Sequence, residues 1–113
     1  MVDPELLQSV CALVGTNGDA TVEELQVLRG LAERGGLSRN EIDNVIAKAH
    51  HDDSLRDAHR DVVMGDPERA LNELIDLARA AGEIDQGHAS MLLWRIAGEL
   101  EISPDRFQVL LKG

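Results

Sequence analysis

With no tyrosine, one tryptophan and one phenylalanine, this chain cannot build the aromatic platform on which single-stranded nucleic acid stacks. It is also short of positive charge. Eleven Lys and Arg face twenty-one Asp and Glu, a net charge of −10, where a nucleic-acid binder needs several cations to displace counterions from phosphates. The same imbalance opposes anionic lipid surfaces. The one cysteine, Cys11, cannot form a bridge within the chain, which fits a reducing, cytoplasmic setting. It falls between Val10, Leu13 and Val14 on an apolar helix face, where a thiol acts as a small hydrophobe. No stretch approaches the ~18 apolar residues of a membrane span. The start, Met1-Val2-Asp3-Pro4-Glu5, has no positive segment of the kind that opens a signal peptide. The expectation is a soluble cytoplasmic protein. Its acid excess serves solubility, attraction of cations, or docking to a basic partner.

Prolines are equally scarce, and all three follow a residue that caps a helix. In Asp3-Pro4, Asp66-Pro67 and Ser103-Pro104, proline stands where a helix needs no N–H and where its fixed φ is already helical. Thr21-Val22-Glu23-Glu24 and Ser38-Arg39-Asn40-Glu41 read as capping boxes. Gly15, Gly35-Gly36, Gly65 and Gly82 read as left-handed stops. Between these marks the apolar period is helical, over about residues 4 to 15, 22 to 34, 39 to 50 and 54 to 63, with further helices to the C-terminus. The fold class is all-α, with about seven short helices in a single domain.

What is abundant is self-similarity. Leu7, Val10, Leu13 and Gly18 correspond to Leu71, Leu74, Leu77 and Gly82. After one inserted residue, Val27, Leu28, Leu31 and Ala32 correspond to Leu92, Leu93, Ile96 and Ala97. Leu37-Ser38, Ile42, Val45 and Ile46 correspond to Ile102-Ser103, Phe107, Leu110 and Leu111. This predicts two pseudo-symmetric three-helix repeats, about 3–50 and 66–113, packed face to face, with a bridging helix within about 51–65. Gly30 and Gly98 interrupt the second helix of each repeat at a cost of about 1 kcal/mol each. Close helix–helix approach at the bundle centre would offset it. Trp94 belongs to the core or its edge.

Two segments could carry chemistry. The first loop, Gly15 to Glu24, has the look of a calcium loop. Setting Gly18 at the sharp turn, however, puts Leu13 and Gly15 where side-chain oxygens are required, and the second loop puts Leu77 first and His88 last. Neither is an EF-hand. Asp19, Glu23, Glu24, Glu83 and Asp85 suit helix dipoles, and the competing reading is a weak divalent-cation site. The second segment, His50 to Asp61, gathers three histidines with Asp52, Asp53, Asp57 and Asp61. A solvated linker whose Arg56 and Arg60 form local ion pairs competes there with a metal site. No nucleophile elbow and no phosphate-binding loop is present, so no enzymatic activity is expected.

The run Leu77-Ala78-Arg79-Ala80-Ala81-Gly82-Glu83-Ile84-Asp85, with Leu92 to Ala97 and Leu100-Glu101-Ile102-Ser103, resembles the tellurite-resistance TerB family, which includes the N-terminal domain of the DjlA co-chaperones. Thr16-Asn17-Gly18-Asp19-Ala20 with Glu23/Glu24, and Gly35-Gly36-Leu37-Ser38, carry the likeness into the first half. It spans almost the whole chain through short motifs. The resemblance implies a non-enzymatic stress-response or interaction module that binds a protein partner near a membrane complex, without inserting in the membrane itself. It also implies a divalent cation held by Asn17, Asp19, Glu23 and Glu24, and in the second loop by Glu83 and Asp85. Asn17 and Ala81 stand where the family carries an acid, and the second loop lacks the helical Glu near His88, so the first loop retains more of such a site. The alternative reading is an acidic inhibitor or immunity-type protein that binds a basic enzyme or mimics nucleic acid. The alternation of Arg and acid through residues 52 to 61 weighs against a mimic.

Overall fold

Capping chemistry divides this chain into helices before any packing is considered. A computed structural model describes residues 2–112 apart from Asp19, Asp85 and Gln86. Among the described residues there are seven helices and no strand: α1 (Pro4–Thr16), α2 (Val22–Arg34), α3 (Arg39–His51), α4 (Asp53–Met64), α5 (Pro67–Ala80), α6 (Gly87–Glu99) and α7 (Pro104–Lys112). The fold is all-α.

Both capping boxes close as expected. Glu24 N–H donates to Thr21 Oγ1 at 3.1 Å, and Thr21 N–H returns to Glu24 Oε2 at 3.3 Å. Ser38 and Glu41 repeat the exchange at 3.1 Å each way. Asp3, Asp52 and Asp66 accept from the first-turn amides of α1, α4 and α5, and Ser103 accepts from Arg106 N–H at the start of α7.

The helix stops divide into two kinds. Gly36 (φ 106°) and Gly82 (φ 71°) are left-handed, and each is followed by the six-residue closing bond of a Schellman end: Leu37 N–H to Ala32 O at 3.1 Å, and Glu83 N–H to Ala78 O at 2.8 Å. A third such end follows α6, where Ile102 N–H reaches Ala97 O at 2.9 Å. There the left-handed residue is Glu101, at φ 59°. Ala32 and Leu37 are the repeat partners of Ala97 and Ile102, so matched positions make the same closing bond. Gly15 and Gly65 do not fit the expected left-handed role. Gly15 lies inside the last turn of α1, which runs to Thr16 and is capped by Asn17, and Gly65 has a right-handed φ of −67°.

The core is continuous across the halves. Leu7, Leu28 and Leu31 join Leu71, Leu74, Ile75, Leu92, Leu93 and Ile96 in one cluster with almost no solvent contact. The main seam between the halves runs along α2 and α6. Polar ties join the halves elsewhere, from α5 to α2 and to the cap of α1: Arg34 Nη2 donates to Ala80 O at 2.7 Å, and Arg69 bridges to Asp3 at 3.5 Å. Within the first half, α1 packs extensively on α3 and α4. In the second half α7 is joined to α5 through side chains, Arg106 to Glu68 and Arg79 to the Leu111 carbonyl.

The close-approach glycines are not the ones expected. A Cβ at Gly30 or Gly98 would meet nothing within 4 Å. Both face outward, and neither draws helices together. Tight approach occurs at Gly15, whose Cβ would stand 2.7 Å from Ile46, and at Gly35, where it would stand 2.6 Å from Leu7 and 3.3 Å from Leu77. These glycines lie at helix ends, where α1 meets α3 and where α2 meets α1 and α5.

Candidate functional site

Of the six loop residues that the family resemblance singles out, the four that the structure describes lie in four different settings. Asp19 and Asp85 lie outside the described residues. Asn17 caps α1 and lines a polar cavity of about 340 Å³ together with Thr16, Gly18, Arg56, Asp57, Arg60 and Glu99. Glu83 lines a separate cavity of about 360 Å³ with His88, Gly82, Gly87, Ala89 and Val27 of α2. Glu23 is exposed in the first turn of α2.

Glu24 points inward. Its position follows from the helical period, since it shares a face with Leu28 and Leu31, which are fully buried. Its side chain is only 4% exposed, and its carboxylate meets Arg95 of α6 in a two-pronged bridge. Arg95 Nε donates to Oε2 at 2.7 Å and Nη2 to Oε1 at 3.1 Å. The Arg95 hydrogen bond holds the Glu24 carboxyl below its ordinary range. Burial opposes this shift, and the Thr21 amide adds to it. Glu24 thus closes its own capping box and joins the two halves with one side chain. Among the described residues no group of three or more His, Cys, Asp or Glu is placed to hold a metal ion. Both Glu24 oxygens accept from Arg95, so a cation at the first loop would have to compete with that guanidinium for Glu24.

The ion pair was legible only in part. Thr21-to-Glu24 signals a capping box, and a charged residue on each of two apolar stripes needs a partner. Which partner depends on the docking of α2 on α6.

The histidine–aspartate segment does not converge. His50 and His51 pack edge to face at 5.8 Å, and Asp52 accepts from the Ser54 and Leu55 amides as the cap of α4. His59 turns to α1, where its Nδ1 lies 2.9 Å from Ser9 Oγ. Ser9 is 1% exposed, so this bond answers the need of a buried hydroxyl. The expected local ion pairs are missing: among the described residues neither Arg56 nor Arg60 has a carboxylate within 4.0 Å. Both instead border the cavity beside Asn17. Cys11 is fully buried, and burial pushes its thiol up to about 12, which leaves it unreactive.

Trp94, expected in the core or at its edge, stands at the edge. It is 47% exposed and meets Phe107 edge-on, with ring centroids 5.8 Å apart at 62°. Beside it lies an apolar slot of about 130 Å³ bounded by Trp94, Ala97, Gly98, Ile102, Pro104 and Phe107. No described helix is long and apolar enough to cross a membrane.

Among the described residues the geometry gives a seven-helix all-α fold with an internal ion pair, polar loop cavities and an apolar surface slot beside Trp94. Comparison with family models, with curated proteins and with solved structures finds no significant match.

Proposed function

We propose that this chain is a non-enzymatic, TerB-like interaction module that docks a protein partner on its acidic helical surface. The observation that carries this reading is a half-exposed tryptophan over an open apolar slot, on a body with a net charge of −10. Apolar anchoring gives affinity, and the surrounding charge steers a cationic partner and suppresses acidic ones. A stress-response role beside a membrane complex follows from the TerB likeness. A divalent cation would enter as an accessory at Asn17, Asp19 and Glu23.

Two experiments test the reading. Affinity capture from the native host, at low and at high salt, should retain a cationic partner that high salt releases. No retained partner at either salt overturns the docking role. Calorimetric titration with calcium, magnesium, zinc and manganese should give heat that Asp19→Ala diminishes. Silence with all four removes the cation and leaves the docking module.

A further inference from the structure

The slot beside Trp94 has a construction that points to an occupant. All six of its walls are apolar or glycine, and a Cβ at Gly98 would meet nothing within 4 Å. Gly98 costs α6 about 1 kcal/mol of helix propensity without any close packing to require it. Gly98 lines the slot, and its lack of a side chain keeps that wall open. Met91, one turn before Trp94 on α6, is 51% exposed and continues the apolar strip. The rim is acidic. Glu101 immediately precedes Ile102 and Asp105 immediately follows Pro104; both are exposed, and neither makes an ion pair among the described residues.

We propose that this slot receives one aliphatic or prolyl side chain from a basic segment of a partner protein, whose flanking Lys or Arg residues lie against Glu101 and Asp105. The volume of about 130 Å³ suits a single side chain of that size. Charge complementarity selects the flanks, since an acidic segment would meet the rim and a net charge of −10 with like sign. The inference rests on the docking-module reading and gives it a site and a partner chemistry.

The test uses random heptapeptides displayed against the intact chain, followed by titration of the selected peptides. Trp94 is the only tryptophan, so its fluorescence reports the slot directly. The expected winners centre an aliphatic residue or proline between Lys and Arg, shift Trp94 emission, and weaken with salt. Gly98→Leu adds bulk at a lining position of the slot, on an exposed helix position that favours leucine, so the variant should fold. It should bind the selected peptides at least about tenfold more weakly. Glu101→Asn with Asp105→Asn, which keeps a residue tolerant of left-handed φ, should lose roughly severalfold at low salt and little at high salt. Absence of enrichment, an acidic or purely polar consensus, or unchanged affinity for Gly98→Leu overturns the proposal. Self-association abolished by Gly98→Leu would assign the slot to a second copy and overturn it too. If the captured host partner binds Gly98→Leu normally, this site falls while the docking module stands.

Discussion

Two arginine–glutamate bridges in this protein have nearly the same geometry and very different surroundings. Arg95 grips Glu24 at 2.7 and 3.1 Å, and Arg106 grips Glu68 at 2.9 and 2.6 Å. The first has side chains 4% and 28% exposed and joins α2 to α6 across the main seam between the halves. The second has both partners more than 40% exposed and ties α7 to α5 at the surface. Screening by water makes the exposed bridge a weak contributor. In the seam, losing one partner strands the other where water cannot fully replace it. Distances alone would rank the two bridges together, and burial separates them.

The largest expected effect of breaking this comparison comes from Glu24→Ala. It should lower unfolding free energy by about 3 kcal/mol, read from the urea midpoint, because it leaves Arg95 without its carboxylate and removes half of a capping box. A loss no larger than that of Glu68→Ala would show that the seam is well hydrated.

Acid should expose the same contrast. The folded Glu24 carboxyl is depressed, chiefly by Arg95, below its unfolded value of about 4.3. Its contribution is therefore present above that unfolded value and is lost as pH falls through the lower folded one. Glu24→Gln should flatten the acid limb of a stability–pH curve. An unchanged limb would mean that the bridge does not hold in solution.

Glycine substitutions sharpen the comparison of buried ends with open faces. Gly35→Ala should destabilise by about 1–2 kcal/mol, since the new methyl would stand 2.6 Å from Leu7. Gly30→Ala, on an open helix face, should stabilise by up to about 1 kcal/mol. Thermal melts that move in the same direction for both would contradict the packing described. A similar gain of about 1 kcal/mol is expected from Glu101→Gly, which relieves a left-handed side-chain residue where the first repeat has Gly36. The smallest effect belongs to Glu68→Ala, whose melt should lie close to that of the unaltered chain.

The repeat register shows why the Glu24–Arg95 bridge has no twin. The alignment that pairs Leu28 with Leu93 pairs Glu24 with Ala89 and Gly30 with Arg95. Where one side of the seam holds an ion pair, the matched positions hold a buried alanine and an open glycine. A strictly symmetric bundle would carry the bridge twice. This chain carries it once, beside the loop of the first repeat.

Local chemistry made much of the architecture readable. Caps at Asp3, Thr21, Ser38, Asp66 and Ser103 each accept from an amide within the next three residues, so these five helix starts were legible without any tertiary contact. Apolar spacing likewise told which stripes would be buried, because the helical period alone puts Leu7, Leu28, Leu71 and Leu93 on inner faces. Long-range matters were not legible in this way. The choice of Arg95 for Glu24, of Ser9 for His59, and of Gly15 and Gly35 over Gly30 and Gly98 as close-contact points depends on how finished helices dock. Docking is set by shape and burial between residues as many as 71 positions apart, which no local pattern encodes.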